Sequence, residues 1–338
     1  MSRRFLTHSA LSMICVALTA GCPRQVGHAN VAFDVSSDGK RIVFSSAGGD
    51  LFLLNLDTQK VRALTNSSAR ETSPAFSPDN QSIVYAADTE NSKGTFLFAR
   101  SIYGRHVYQL TEDADVCDSL PQYSPDGSQI AFARAHRHRP YSMGGWTWDD
   151  WDVYVMDAAG GNLRRVTHKK HYGINKVLFS RDGQAILFSA ETDRGASDSV
   201  VSVFEASLDG GAPPTVVTSR PKSFGKHYAW ASNPGLSRDG RYLVLVSDRQ
   251  TPYHYDLVLM DRQTGDSRSL AITQISRYNQ GPLFAPDGKQ VLFLAGTKWN
   301  ADSRPIFSLW SVDTDGKNPI QIADSALFTD PLKWLPKP

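Results

Sequence analysis

A four-residue turn recurs six times along the chain and constrains its fold more than any other feature. The clearest copy is Ser124-Pro125-Asp126-Gly127, which stands between two short apolar runs. Proline fixes φ at about −65° in the second turn position, and glycine takes the positive φ that closes the turn. The same offsets recur at 38–39, 79–80, 182–183, 239–240 and 287–288. Each copy therefore predicts a β-hairpin, and Asn80 is a suitable replacement for glycine because Asn tolerates left-handed backbone.

Four strand-like runs accompany each turn. The second run is a continuous apolar triplet, such as Ile42-Val43-Phe44 or Ile186-Leu187-Phe188, which is typical of a strand buried on both faces. No stretch of ten or more residues has the periodicity of an amphipathic helix. Successive turn aspartates are 41 to 57 residues apart, a spacing typical of propeller blades. We therefore predict an all-β fold, a six-bladed β-propeller of four-stranded antiparallel blades.

The repeats resemble a known family of propeller sequences. They are similar to the PD40 (WD40-like) repeats of the TolB family, whose signature Phe-Ser-Pro-Asp-Gly stands here as Tyr123-Ser124-Pro125-Asp126-Gly127. The resemblance covers nearly the whole chain beyond residue 30 and implies a six-bladed ring. Arg181 and Arg238 replace the signature proline, which reduces the rigidity of those two turns. TolB also carries an N-terminal α/β domain, whereas this sequence enters the first blade soon after Cys22, so the resemblance does not imply the whole TolB role.

Residues 1–21 have the features of a lipoprotein signal peptide. Arg3 and Arg4 form a basic segment, and residues 10–20 form an apolar core too short to span a bilayer. The run Leu18-Thr19-Ala20-Gly21-Cys22 resembles the lipobox of bacterial lipoproteins, which implies lipidation of Cys22. An ordinary secretory signal with a chance cysteine is the alternative. The paired arginines fit either general or twin-arginine export.

The domain organisation follows from these features. We expect a signal peptide at 1–21, a tether at 22–29 and one propeller at 30–338. The expected blades are 30–72, 73–118, 119–174, 175–231, 232–280 and 281–330. Because Trp334-Leu335-Pro336 resembles the opening of a repeat, we also expect a closing strand at 331–336.

Charge and cysteine content limit the partners and the chemistry. The chain has 36 basic and 34 acidic residues, and without Arg3 and Arg4 the two counts are equal at 34. A neutral protein has no global field that gathers nucleic acid, so we expect no nucleic-acid partner. Removal of the signal peptide and lipidation of Cys22 leave Cys117 alone, so no intrachain disulfide is expected. We predict a monomer in the bacterial envelope, lipid-anchored to the outer membrane and facing the periplasm.

The position of the functional surface follows from loop lengths. In a propeller blade, the first-to-second and third-to-fourth turns lie on one face, here named the turn face. The second-to-third and blade-to-blade connections lie on the opposite face, here named the loop-rich face. Nearly all length variation in this chain falls in the second set. Binding residues are usually carried by variable loops on a rigid scaffold, so we predict a binding site on the loop-rich face, near the mouth of the central channel.

The largest insert on that face, residues 134–150 of the third blade, combines basic and aromatic side chains. One interpretation is a binding site in which tryptophans stack on sugars or anchor a peptide while arginines hold a carboxylate or phosphate. The other is a long loop that packs its aromatic side chains on the neighbouring blade and pairs its arginines with Asp149 and Asp150. Together with histidines and aromatics of the next connections, the candidate binding residues are Arg134, His136, Arg137, His138, Arg139, Tyr141, Trp146, Trp148, Asp149, Asp150, Trp151, His168, His171, His227, Tyr228 and Trp230.

Signals for metal binding and catalysis are weak. Three arginines flank His136 and His138 and would repel a divalent cation, so we predict no metal and no cofactor. Convergence of His168, His171 and His227 at the channel mouth would resemble the metal site of oligogalacturonate lyases, although the spacing does not indicate it specifically. Nucleophile-elbow, zinc-protease and phosphate-loop motifs are absent.

Three functional classes remain after these observations. We predict a non-catalytic, envelope-associated binding or scaffold lipoprotein that holds a protein or an envelope glycan through its loop-rich face. The alternative is a polysaccharide lyase or hydrolase with its site at the channel mouth. A purely structural scaffold would instead expose a large apolar patch.

Overall fold

Six four-stranded antiparallel sheets follow one another along the chain. The computed structural model describes residues 31–90, 92–140, 145–191, 200–209, 211–218, 231–248, 254–270, 272–299 and 305–334. In each sheet the four strands are consecutive in sequence and pair in that order. The fold is thus the predicted six-bladed propeller of four-stranded blades.

The strand bounds show where the blades differ in length. Blades one to three contain β1 (Phe33–Val35), β2 (Arg41–Ser45), β3 (Leu51–Asn55), β4 (Val61–Ala63), β5 (Glu71–Phe76), β6 (Ser82–Asp88), β7 (Thr95–Ser101), β8 (Val107–Gln109), β9 (Cys117–Tyr123), β10 (Gln129–Pro140), β11 (Trp146–Asp157) and β12 (Arg164–Arg165). Blades four to six contain β13 (Ile174–Phe179), β14 (Ala185–Glu191), β15 (Val201–Ser207), β16 (Thr215–Val216), β17 (Ala231–Leu236), β18 (Tyr242–Ser247), β19 (Asp256–Asp261), β20 (Ser267–Ser269), β21 (Asn279–Phe284), β22 (Gln290–Trp299), β23 (Pro305–Asp313) and β24 (Ile320–Ala323). The middle strands of the third and sixth blades are therefore the longest.

The apolar triplets of the second strands are buried on both faces, as predicted. Ile42 and Phe44 pack in a cluster shared by blades one and six, whereas Val43 packs between blades one and two. The same alternation separates Leu187 from Ile186 and Phe188 in the fourth blade. The described core forms six such clusters, one at each junction between neighbouring blades. Because successive side chains of a strand point to opposite faces, each blade is held by both of its neighbours.

The recurring turn is stabilised by a short-range network around its aspartate. In blades one to five the turn serine donates its hydroxyl hydrogen to the aspartate at 2.5–2.6 Å. In all six turns the aspartate also accepts the backbone N–H two residues further on at 3.0 Å. The fourth residue has φ between 59° and 76° in every copy, Asn80 included. The serine, the aspartate and the glycine of the motif therefore each have a local structural role.

Most of the turns also contact the turn of the next blade. A Cβ placed on Gly127 would lie 3.5 Å from Pro78, and one on Gly183 would lie 3.9 Å from Pro125. The ring closes with the same contact, since a Cβ on Gly39 would lie 3.5 Å from Pro286 of the last blade. The apolar cluster that contains Ile42 and Phe44, at the junction of blades one and six, completes this closure.

Helix is confined to three short segments among the described residues. They are the 3-10 helices Ile272–Gln274 and Pro331–Trp334 and the α-helix Ala326–Thr329. The predicted closing strand at 331–336 is therefore wrong for 331–334, and 335–336 lie outside the described residues. A closing strand is not needed because blade one has its own first strand and Leu327 and Phe328 fill the last junction. None of the described helices is long and apolar enough to cross a membrane.

The turn network predicts a measurable change on removal of one hydroxyl. Hydrogen bonds from the Ser124 hydroxyl, and then from Ser128, lower the pKa of Asp126 to about 2. This stabilisation is present above about pH 4, the unfolded carboxyl value, and is lost as the pH falls through the folded value. Ser124→Ala should lower the urea concentration at the unfolding midpoint at pH 7, and lower it by less at pH 3, because the hydrogen bond to the ionised carboxyl is lost.

The sixth blade supplies the matched control for this experiment. Its turn has Ala285 in place of serine, while Asp287 and Gly288 are retained. Ala285→Ser should leave the protein at least as stable as the wild type, since it introduces the missing hydroxyl. If Ser124→Ala unfolds in urea like the wild type at both pH 7 and pH 3, the role given to the turn serine is contradicted.

Candidate functional site on the loop-rich face

The third blade carries a hairpin that extends beyond the rest of the loop-rich face. Strands β10 and β11 have twelve residues each and pair continuously as far as Pro140 and Trp146. The segment 134–150 was expected as a loop, and its described part is instead a two-stranded extension of the blade. Alternating side chains and β-forming residues such as Thr147 and Trp148 favour this ladder. Tyr141 at the tip lies outside the described residues.

The base of this hairpin is a buried ion pair. Arg134 donates from Nε and Nη2 to the two carboxylate oxygens of Asp118 at 2.6 and 2.7 Å. Its guanidinium also lies 5.4 Å from the ring centre of Phe132 and 5.3 Å from that of Tyr154. Both charged side chains are buried, so Arg134 lies within the blade and not on its surface. A bidentate pair of this kind fixes the geometry of the strands that carry it.

Two tryptophans of the hairpin pack against neighbouring elements. Trp148 is buried and donates its indole N–H to the carbonyl of Lys93 in the second blade at 3.0 Å. Trp151 is also buried, and its backbone pairs in both directions with His171 at 2.8 Å. Arg139 donates to Asp149 at 2.5 Å and lies over the ring of Tyr172 at 5.7 Å. These contacts match the packing interpretation for the base of the insert.

The outer part of the hairpin presents a different surface. The His138 ring lies between two indoles, with its centre 5.0 Å from that of Trp146 and 4.8 Å from that of Trp148. Trp146 is 58% exposed, and Arg137, which pairs with Asp149 in the strand ladder and therefore lies on the other face of the hairpin, is exposed as well. The described residues give Arg137 no hydrogen bond and no ion pair. The tip therefore combines a stacked aromatic unit with an available guanidinium.

His136 lies on β10, the strand that also carries Arg137 and His138. His136 is exposed, and its Nε2 lies 2.8 Å from the hydroxyl of Tyr154. Partial burial, and then the charges of Arg165 and Arg134, lower the pKa of His136. His136 is therefore neutral at pH 7, and its hydrogen bond with Tyr154 fixes the ring.

Convergence of His168, His171 and His227 at the channel mouth would favour the enzyme alternative. His168 is exposed, whereas His171 is buried against Phe188 and Phe204 at the junction of blades three and four. His171 therefore does not face the channel mouth. His227, Tyr228 and Trp230 lie outside the described residues, as does Cys22. Within the described ranges no group of three His, Cys, Asp or Glu side chains is placed to hold a metal ion.

The central channel has two lobes. The lobe at the loop-rich face has a volume of ≈ 130 Å³ and is lined by the first strands of the blades. The lobe at the turn face is larger, at ≈ 390 Å³. Near the first lobe the innermost strands are irregular, since Ser73, Leu120, Asn233 and Gly281 all have positive φ directly before a proline. These bulges leave the channel narrow at the loop-rich face.

Comparison with known proteins places this architecture in a family. The family model described as TolB beta propeller domain (PD40) matches residues 121–337, more than half of the chain. The chain belongs to the TolB beta propeller family. This confirms the resemblance that the repeated Ser-Pro-Asp-Gly turns indicate.

Relatives of this TolB-family chain carry different names. The Uncharacterized peptidase YuxL of Bacillus subtilis (strain 168) is 27% identical over 244 residues, which are 69% of this chain and 31% of that protein. The Tol-Pal system protein TolB of Francisella tularensis subsp. holarctica (strain OSU18) is 26% identical over 269 residues, 78% of this chain and 54% of that protein. The chain thus spans about a third and about half of the lengths of these relatives.

A solved structure shows the same fold. TolB from Acinetobacter baumannii superposes with a TM-score of 0.61 at 19% sequence identity, and the match covers 86% of this chain and 62% of that one. An identity this low supports the fold alone. The family model, the relatives and the superposition therefore agree on a TolB-type propeller and leave its particular role to the residues described above.

The larger lobe on the turn face of this TolB-family propeller is a feature that loop lengths did not indicate. The turns on this face are uniformly short, and short turns alone do not predict a binding site there. The signal in the sequence was the pair of arginines at 181 and 238, both of which line that lobe.

The close packing of Trp148 against Gly94 allows a test of how the hairpin is attached to the second blade. A Cβ on Gly94 would lie 2.7 Å from the Val116 carbonyl oxygen and 3.0 Å from Trp148 Cζ2. Gly94→Ala should therefore lower the free energy of unfolding by about 1–3 kcal/mol, as overpacked sites do, and shift the tryptophan fluorescence. Gly104→Ala is the control, since its nearest neighbour would be 3.7 Å away. Equal stability of the two variants would show that this contact does not hold the hairpin.

Proposed function

We propose that this chain is a non-catalytic binding protein of the bacterial cell envelope that holds a partner protein on its loop-rich face. The observation that carries the proposal is the exposed Trp146 at the hairpin tip, which stacks on half-buried His138, itself in contact with buried Trp148. The stack is fixed from below, because Trp148 is anchored to the second blade and Arg139 is paired with Asp149. A rigid aromatic surface loses little conformational entropy on binding.

The composition of the tip supports a protein partner. Tryptophan and arginine are the residues most enriched among those that dominate binding energy in protein interfaces. Here exposed Trp146 stands on the same pair of strands as Arg137, which has no partner among the described residues. The relative from Francisella tularensis is named as a Tol-Pal system protein, and this name supports the choice of a protein partner. An envelope glycan, which would stack on Trp146, is the competing ligand that the experiment below must distinguish.

The proposed location rests on the N-terminal sequence. Basic residues, a short apolar core and the lipobox-like run before Cys22 support export and lipidation. A tether at 22–29 would place the propeller close to the membrane, with the periplasmic side of the outer membrane as the proposed site. Neither a catalytic group nor a cofactor is part of this proposal.

The partner is sought with one variant and one matched control. Wild type, Trp146→Ala and Tyr108→Ala are used as baits on solubilised envelope, and each captured protein is then purified and titrated by calorimetry. Tyr108 is a suitable control because it is 63% exposed on β8, the outer strand of the second blade. Trp146→Ala should lower the affinity for the purified partner at least about tenfold, or by about 1.4 kcal/mol. Tyr108→Ala should leave this affinity unchanged.

Other outcomes of this experiment are equally informative. A partner that binds wild type and Trp146→Ala with the same affinity would refute the proposed surface. Capture of no protein, together with Trp146-dependent binding of purified envelope polysaccharide, would replace the protein partner with a glycan. Release of shortened sugar products from that polysaccharide would refute the non-catalytic role.

Lipid anchoring is tested separately. With an alkyne-labelled fatty acid in the growth medium, wild type should be labelled and sediment with membranes, because Cys22 carries the lipid. Cys22→Ser should remove the label and release the protein to the soluble fraction. Cys15→Ser is the control, since Cys15 lies in the signal peptide and should not affect labelling. Persistent labelling of Cys22→Ser would contradict the anchor.

A further inference from the structure

The turn face has a charge pattern that follows from two departures from the repeat. The second turn position is proline in blades two, three and six, at Pro78, Pro125 and Pro286, and all three prolines line the larger channel lobe. In blades four and five the same position is Arg181 and Arg238. One side of the lobe is therefore apolar, and the other carries two guanidinium groups.

Arg181 keeps the structural role of the proline that it replaces. A Cβ on Gly240 of the next blade would lie 3.4 Å from Arg181 Cγ, so the aliphatic stem fills the place of the ring. Its guanidinium donates to the carbonyls of Ser237 and Leu236 at 2.9 and 2.7 Å. These two bonds fix the charge at the rim of the lobe and leave further N–H donors available.

Arg238 does not replace the proline contact with the next turn. A Cβ on Gly288 of the following blade would have no neighbour within 4 Å, so the Arg238 stem does not pack there. The described residues give its guanidinium no hydrogen bond and no ion pair. Both arginines line the same lobe. Burial, and then the charge of Arg238, lower the pKa of Arg181.

A third cation lies deeper in the same lobe. Lys176 projects from β13 and lines both lobes of the channel. Burial lowers the pKa of Lys176, and the attraction of Asp34 opposes this. Asp34 forms no direct ion pair with Lys176, and it accepts the backbone N–H of Phe76 at 2.8 Å. The Lys176 ammonium therefore lacks a contacting anion.

Negative charge at this lobe is either absent or engaged. None of the described residues that line it is an Asp or a Glu. Asp239 lies nearby, but it accepts the Ser237 hydroxyl at 2.6 Å and the Arg241 backbone N–H at 3.0 Å. Three basic side chains, Arg181, Arg238 and the more deeply placed Lys176, thus line a lobe of ≈ 390 Å³, a volume within the usual range of small-molecule sites.

We propose that the turn-face lobe binds a small organic anion, with a phosphate or carboxylate group at Arg181, Arg238 and Lys176. The apolar body of this ligand lies against the proline side of the lobe. Guanidinium groups bind both kinds of acid through paired N–H donors, so the shared chemistry is an oxyanion on an apolar ring or chain. This site is independent of the hairpin tip because it lies at the other end of the channel.

The test uses phenyl phosphate and phthalate as probes, with benzyl alcohol as a neutral probe and inorganic phosphate as a probe without an apolar body. Titration calorimetry on the mature chain should show saturable binding of phenyl phosphate, phthalate or both, and none of benzyl alcohol. Inorganic phosphate should bind more weakly than phenyl phosphate. The aromatic acid that binds with the higher affinity indicates whether the acid group of the natural ligand is a phosphate or a carboxylate.

Variants at the rim and in the depth of the lobe locate the binding. Arg238→Pro restores the residue of three other blades, so it should fold normally and weaken the better probe at least about tenfold, the usual effect of one charged hydrogen-bonding group. Lys176→Met should weaken it as well. Arg137→Ala removes the same charge from the loop-rich face and should leave the affinity within about twofold of wild type.

Two results would overturn the site. Absence of saturable binding of both aromatic acids to the wild type would refute it. Equal affinity of wild type and folded Arg238→Pro would show that binding occurs elsewhere. Neither result bears on the partner protein proposed for the hairpin tip.

Discussion

The contact between the turns of neighbouring blades is the constraint on which most of the ring depends. At five of the six junctions the second residue of one turn contacts the fourth residue of the following turn, and among the described residues the exception is Arg238, whose stem does not reach Gly288. The contact tolerates different chemistry. Proline meets glycine at Pro78 and Gly127, whereas Ser37 in the first blade is bound by the side chain of Asn80 at 2.8 and 2.7 Å. A repeat of this kind closes into a ring without a shared strand.

This constraint explains why both proposed binding sites lie at the ends of the channel. The turns and the apolar triplets are needed to hold the blades together, so they have little freedom to vary. The long hairpin of the third blade packs against its neighbours through Trp148 and Trp151, and its outer end extends further and presents Trp146. At the other end, the second turn position tolerates arginine because the stem of Arg181 replaces the proline contact. Both candidate sites are therefore additions that leave the junctions intact.

The local features of the fold could be predicted from sequence. The turn motif involves residues within five positions of one another, and the triplets are buried wherever they occur, so the blades were identified correctly. The closing strand was not, because a resemblance over Trp334-Leu335-Pro336 does not record that blade one already has four strands. Pairing within the sheets depends on such long-range information.

The candidate site was harder to predict for the same reason. Arg134 reads as an available cation, yet its partner Asp118 lies sixteen residues earlier on the neighbouring strand. His171 reads as a surface histidine, yet its backbone pairs with Trp151 and draws it into the junction of blades three and four. Arg137 and Trp146 are exposed as expected, since they lie where the strands leave the core. Residues at the ends of elements could be placed from sequence, and those between blades could not.

Site-specific photo-crosslinking in living cells tests the central claim, that the loop-rich face is the binding surface, most directly. A photoreactive phenylalanine analogue is introduced at position 146 in one strain and at position 108 in another, and adducts are identified after irradiation. We expect one defined adduct from position 146 and none from position 108, because only the hairpin tip faces the partner. An adduct from position 108 with none from position 146 would contradict the account.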